Sequence, residues 1–152
     1  MKMPDVNVLV YAHRVEDPAH DFYSAWLHAL ANGEAPFALS VLVASGFVRV
    51  VTHARFAPAP SELEQAVAFV EVLASAPSCR LLGAGPESWQ LVRDICRKTA
   101  TRGARVSDAH HAAVAIEHGC TWVSRDADFR RFEPHGLAFE LLEPPAGRRS
   151  RS

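Results

Sequence analysis

The sequence predicts a single α/β domain, a central parallel sheet with helices on both faces. Short apolar stretches rich in β-formers alternate with longer stretches of helical spacing from end to end. A chain of 152 residues is long enough for one domain with a sizeable core. At 49% hydrophobic and 22% charged, it has the balance of an ordinary globular protein. Such alternation implies right-handed crossovers and a sheet covered on both sides. The carboxyl ends of its strands then gather on one edge, where open α/β sheets take their ligands.

Residues 2–5 are expected to form the first strand. Val6 to Ala12 also has strand propensity, with three valines and a tyrosine, although periodicity alone does not separate it from a buried helix. Asp17-Pro18 reads as an N-cap followed by proline at the first helical position. It opens a helix over 19–32, with Phe22, Trp26, Leu27 and Leu30 on one face and Asn32-Gly33 as its stop. Phe37-Ala38-Leu39 is a short strand. Ser40 caps a helix over 41–52, in which Gly46 points to close backbone packing. Ala57-Pro58-Ala59-Pro60 is a rigid loop. Ser61-Glu62-Leu63-Glu64 resembles a capping box and opens a helix to about Ala74.

The next strand is Cys79-Arg80-Leu81-Leu82. Pro86 starts a helix whose buried side is marked by Trp89, Val92, Ile95 and Cys96, with Leu91 at the margin. Thr99 to Arg105 reads as an exposed loop. A helix from Asp108, a strand at Thr121-Trp122-Val123-Ser124, a short turn or helix at Asp128 to Phe132 and a last strand at Phe139 to Leu142 complete the domain, over 1–143. Residues 144–152 form an Arg-rich tail expected to be disordered.

A net charge of −1 excludes the global basic field carried by many nucleic-acid binders. Of the 16 basic residues all but Lys2 and Lys98 are arginine. Arginine is the better phosphate clamp, and a GC-rich coding bias is the competing account. Cys79, Cys96 and Cys120 match no zinc spacing, and an odd number leaves no complete disulfide set, which points to a reducing cytoplasm. The first residues do not read as a signal peptide, and no apolar run is long enough to span a bilayer.

Acids recur at the ends of these elements. Asp5 follows the first strand, Asp108 opens a helix, and Asp126 and Asp128 follow the strand ending at Ser124. If Asp5, Asp108 and Asp126 converge, their carboxylates repel one another unless a cation sits between them. Oxygen ligation of this kind suits Mg2+ or Mn2+ rather than zinc. Such a cation would orient a water, lower its pKa and steady charge on a phosphate. Each acid also has a plainer account: a helix N-terminal acid for Asp108, local turns for Asp126 and Asp128, a helix cap for Asn7. His110 and His111 are adjacent on a helix and point about 100° apart, so they do not easily serve one ion. Trp26, Trp89 and Trp122 read as core rather than as base-stacking platforms.

The order Asp5-Val-Asn-Val-Leu, Val-Ser-Asp108-Ala-His, then Trp-Val-Ser124-Arg-Asp126-Ala-Asp-Phe129 resembles the PIN-domain ribonucleases, and more narrowly the VapC toxins of bacterial toxin–antitoxin pairs. Gly46-Phe-Val-Arg-Val-Val-Thr-His53 is similar to one branch of that family. The resemblance covers residues 2–142. It implies a metal-dependent endoribonuclease with Asp5, Asp108 and Asp126 as catalytic metal ligands and Asp128 as a further one. Ser124 and Asn7 would support them, and Mg2+ or Mn2+ would be the cofactor. It makes Asn7 to Ala12 helical, against the propensity reading. It implies a cognate VapB-like antitoxin whose arginine enters the acid site, an RNA substrate and a homodimer formed through helices. Arg49, Arg102, Arg105, Arg125, Arg130 and Arg131 are the candidates for holding RNA phosphates.

One departure stands out. Many members carry a glutamate on the helix after the second strand, but here no Asp or Glu occurs between Glu34 and Glu62, and Ala44, Ser45 or Gly46 takes its place. An RNA- or antitoxin-binding module without catalysis is therefore a competing reading. A small-molecule phosphatase is another. Haloacid dehalogenase-like phosphatases want a second aspartate two residues after the first, where this chain has Asn7.

Overall fold

The computed structural model describes residues 1–146. The elements run β1 (Lys2–Pro4), α1 (Val6–His13), α2 (His20–Asn32), β2 (Phe37–Ser40), α3 (Val41–Thr52), α4 (Leu63–Ala74), β3 (Cys79–Leu82), α5 (Ser88–Thr99), α6 (Val106–Glu117), β4 (Thr121–Ser124) and β5 (Ala138–Leu141). Two 3-10 segments, Gly103–Arg105 and Ala127–His135, precede α6 and follow β4. The expected tail lies largely outside the described residues, and only 144–146 of it are described.

All five strands are parallel, in the order β3-β2-β1-β4-β5. The chain leaves β1 in one direction through β2 to β3, then returns to place β4 and β5 on the other side. The switch point therefore lies between β1 and β4, and the crevice beyond their carboxyl ends is the expected ligand position. Helices α1 to α4 pack on one another, whereas α5, α6 and the longer 3-10 segment form a separate group. That division fits right-handed crossovers placed on opposite faces of the sheet.

The core runs through both layers. Met3, Phe37, Leu39, Trp122 and Val123 supply its sheet, with no exposed surface. Val8, Leu9 and Ala12 turn the buried face of α1 toward it. This spacing is helical, so tertiary burial overrides the β-propensity of Val6 to Ala12. Asp5 begins the helix: its Oδ1 accepts from the Val6 N–H at 2.6 Å. Gly46 allows α3 to lie against α1, since a Cβ there would stand 3.1 Å from Val6 Cγ2.

Several local expectations fail for physical reasons. Asp17 does not cap α2 directly. It forms a tight turn one residue earlier, accepting from the Ala19 N–H at 2.8 Å, and α2 starts at His20. Ser61 does not form a capping box. Its N–H donates to Val51 O at 2.8 Å and its hydroxyl lies 2.8 Å from His13 Nε2, so both groups are taken by tertiary partners. Trp89 is 68% exposed rather than core, because the buried stripe of α5 runs through Ser88, Val92 and Ile95 and takes Ser88 rather than Trp89 from the first turn. Trp26 is half-buried, and the inward position on α2 belongs to Tyr23. Trp122 is core as expected. Thr99 closes α5 rather than opening a loop, and α6 starts at Val106, two residues before Asp108.

Candidate acidic site at the carboxyl edge of the sheet

The register of β1 against β4 builds the centre of the site. Pro4 stands beside Val123, and the Asp5 N–H donates to Val123 O at 2.8 Å. Asp5 and Ser124 thus emerge side by side at the switch point. Ser124 is fully buried, and its hydroxyl donates to Asp5 Oδ2 at 2.6 Å. The Ser124 oxygen accepts in turn from Asn7 Nδ2 at 3.1 Å and from the Asp126 N–H at 3.0 Å. One hydroxyl therefore ties together the end of β1, the first turn of α1 and the loop after β4.

Asp5 is only 6% exposed. Burial pushes its carboxyl up to about 6, against the bonds from Ser124 and Val6, and the negative charges of Asp108 and Asp126 push the same way. Asp108 is likewise raised, first by burial and then by Asp126 and Asp128, while Arg131 and Arg105 pull it down. The carboxylates of three separate elements thus act on one another across one crevice. Asp126 also makes the turn that its plainer account requires, its Oδ1 accepting from the Asp128 N–H at 2.9 Å. Asp108 lies in the first turn of α6 and caps nothing; Arg131 reaches its Oδ2 at 3.5 Å.

The donors that meet here are carboxylate and hydroxyl oxygens, a set suited to a hard divalent cation. Asp5 in particular carries a charge that burial penalises and that no cation among the described residues offsets. Among the described residues, no three His, Cys, Asp or Glu side chains are grouped closely enough to enclose an ion as they stand. The place on α3 where a fourth acid was sought is Ala44-Ser45-Gly46. Ser45 bonds its own helix at Leu42 O, and Gly46 is filled by the approach of Val6. His111 turns inward and stacks on Trp122, centroids 5.1 Å apart. Burial drives its pKa down to about 4, helped by His110 and Arg49, so it packs as a neutral ring.

The arginines divide. Arg125 follows Ser124 directly, donates its N–H to Asn7 Oδ1 at 3.4 Å and lays its guanidinium over Tyr11 at 4.3 Å. Arg131 and Arg105 act on Asp108. Arg49 is exposed on α3 and its charge reaches His111. No hydrogen bond or ion pair connects the exposed Arg102 or Arg130 to the acids among the described residues. Tyr11 was missed from the sequence. Once residues 6–13 are helical, Asn7 and Tyr11 share a face at i, i+4, and that spacing would have found it.

Comparison with known proteins settles the family. Residues 2–133 match the family described as PIN domain. The chain belongs to the PIN-domain family. Its relatives within that family are VapC ribonucleases. Ribonuclease VapC43 of Mycobacterium tuberculosis is 40% identical over 128 residues, which cover 84% of this chain and 87% of that protein. Ribonuclease VapC25 of the same species is 37% identical over 132 residues, 87% of this chain and 93% of that one. The PIN fold is also that of VapBC2 from Rickettsia felis, solved on a promoter DNA fragment, with a TM-score of 0.68 at 19% identity over 93% of this chain and 98% of that one. VapC20 of M. tuberculosis, described as a toxin cleaving the sarcin-ricin loop, matches with a TM-score of 0.66 at 16% identity over 95% of this chain and 100% of that one.

Proposed function

We propose that this PIN-domain protein is a metal-dependent endoribonuclease, the toxin of a VapBC-type pair, acting through the crevice at the β1–β4 switch point. The reading is supported by the burial of Asp5 at the end of β1 and by the charges of Asp108 and Asp126, which reach it from two other elements. Kinship with VapC ribonucleases gives the substrate class.

Asp5, Asp108 and Asp126 would hold Mg2+ or Mn2+, directly or through water, with Asp128 beside them. A divalent cation bound there would supply Lewis acidity and a water of lowered pKa. The chain's own part is positional. Ser124 fixes the direction of Asp5, and Asn7 and the Asp126 N–H fix the Ser124 hydroxyl in turn. Arg105 and Arg125 stand near the acids to grip backbone phosphates, with Arg49 and Arg130 further out. A VapB-like antitoxin is the expected partner, supported by the fold shared with VapBC2, and an arginine from it would pair with the acids in place of metal. A homodimer in a reducing cytoplasm completes the reading.

The absence of an acid on α3 favours one competing account, a PIN-fold module that binds RNA or antitoxin without cutting. Cleavage of total RNA in Mg2+ and in Mn2+ separates the two. Cutting by the wild type, lost in both Asp5→Asn and Asp126→Asn, is expected; RNA binding without cutting in either metal selects the inert module. Turnover of a small phosphate ester instead of RNA would select a phosphatase.

A further inference from the structure

Next to Asp126 in the chain, Arg125 ends a pile of three side chains, each packed on the next. Tyr23 is fully buried at the base, and its hydroxyl donates to Leu142 O at 2.7 Å. Phe22 meets it edge-on, centroids 5.1 Å apart and planes at 87°. Tyr11 stacks on Tyr23 at 5.3 Å and 27°. Arg125 lies on Tyr11, its guanidinium carbon 4.3 Å from the ring centroid. Tyr11 thus has one side against Tyr23 and another under Arg125. Arg125 is exposed, and its main chain is pinned between the buried Ser124 and Asp126 by the bond to Asn7.

A guanidinium grips phosphate with its in-plane N–H edge, and it stacks with its face. Contact with Tyr11 holds the guanidinium at that ring, and the exposure of Arg125 leaves it open to solvent on another side. A flat cationic face is a platform for a nucleobase, since every base offers a π-face. It adjoins Asp126 in sequence, so a base resting on it belongs to a nucleotide next to the phosphate in the crevice.

We propose that the Tyr23–Tyr11–Arg125 pile is a nucleobase-stacking subsite, which takes one unpaired base of a single-stranded RNA beside the acids. The proposal rests on the ribonuclease reading above and adds to it a substrate geometry: a strand with one base splayed from its neighbours. Stacking tolerates every base identity, so the subsite selects for an accessible base rather than a given letter.

The test is an abasic scan. Single-stranded RNA oligonucleotides carrying one abasic residue at each position in turn are bound to the full chain and followed by anisotropy, in EDTA and again in Ca2+. The wild type is expected to lose about five-fold or more in affinity at one position and little elsewhere. Arg125→Lys keeps the charge, and hence the salt dependence of binding, but should bind intact RNA more weakly and lose the sensitivity at that position. Tyr11→Leu should do the same, and Arg125→Lys keeps the test open if Tyr11→Leu does not fold. A wild type that binds RNA but tolerates every abasic position overturns the stacking subsite and leaves the nuclease reading intact. Retention of the wild-type abasic profile by Arg125→Lys overturns the subsite in the same way. A wild type that binds no RNA in either condition overturns both.

Discussion

Substituting Asp5 by Asn should abolish RNA cleavage, and the stability of the mutant relative to the wild type should rise with pH in a defined way. Asp5 rises from 3.8 to about 6 on folding, chiefly through burial. A group raised in this way contributes stability that is full below its unfolded pKa and lost as pH rises through the folded one. About two pKa units at 1.36 kcal/mol each make the ionised Asp5 cost the fold about 3 kcal/mol above pH 7. Asn has the same shape and can still accept from the Val6 N–H, but its amide N–H meets a Ser124 oxygen already accepting from Asn7 and Asp126, a cost that does not change with pH. The measurement is urea unfolding of both proteins in EDTA from pH 4 to pH 8, compared at each pH so that unrelated titrations cancel. The mutant minus wild-type stability should climb by about 3 kcal/mol across that range. A flat or falling difference would mean that Asp5 ionises in the fold without penalty, and the argument from burial would fail. Added Mn2+ should then stabilise the wild type more than the mutant, as expected for a ligand that binds only the native carboxylate site.

His111 should give the opposite slope. Its pKa falls from 6.5 to about 4 on burial, so its contribution is present above pH 6.5 and lost as pH drops through about 4. Replacing it with Gln should flatten the acid side of the stability profile by about 3 kcal/mol, read from the same urea series; an unchanged acid limb would contradict its placement. Glu117 accepts from the Gly85 and Glu87 N–H groups at 2.8 and 3.0 Å, and a Cβ on Gly85 would collide with that carboxylate. Glu117→Ala and Gly85→Ala should each cost about 1–2 kcal/mol, and the double mutant no more than either alone. Additive costs in that cycle would show that the two residues act independently. Tyr23→Phe should cost about 1–2 kcal/mol in chemical unfolding by stranding Leu142 O, and a neutral result would show that the Tyr23–Leu142 bond adds nothing.

Most of the fold was legible because alternation of strand and helix leaves few topologies once right-handed crossovers are required. The carboxyl edge follows from that alone, and Asp5 and Asp126 were readable as strand-end acids before any distance was known. The misreadings came where a local rule met a tertiary competitor. Val6 to Ala12 was not among them: its β-branched residues favour a strand, the resemblance made Asn7 to Ala12 helical, and Asp5 caps the segment while Val8, Leu9 and Ala12 are buried at helical spacing. Ser61 has the sequence of a capping box, but His13 and Val51 claim its polar groups. Trp89 has the right spacing for a buried face, but the buried stripe enters the first turn of α5 at Ser88. At the site, no local pattern ties Arg131 to Asp108 across 23 residues, so that ion pair was not legible. Nor was the hub role of Ser124, which needs the register of β1 against β4.

The charge arrangement of the crevice explains why a costly carboxylate sits at its centre. Among the described residues, the charges of Asp108 and Asp126 act on Asp5 with no cation opposing them, whereas Asp108 is offset by Arg131 and Arg105. No acid comes from α3: Gly46 lets that helix close on Val6, the residue next to Asp5, and neither Ala44 nor Ser45 supplies a carboxylate. On the proposed reading, a shell with one fewer ligand would bind a cation through fewer contacts, while relief of the burial penalty on Asp5 would favour binding. Restoring an acid at Ala44, on the half-buried side of α3, tests this trade. Ala44→Glu would add a ligand and also a like charge, which drives the pKa of Asp5 above 6 in the absence of metal. The balance of those two effects on metal affinity would show whether ligand number or burial of the central aspartate governs the site.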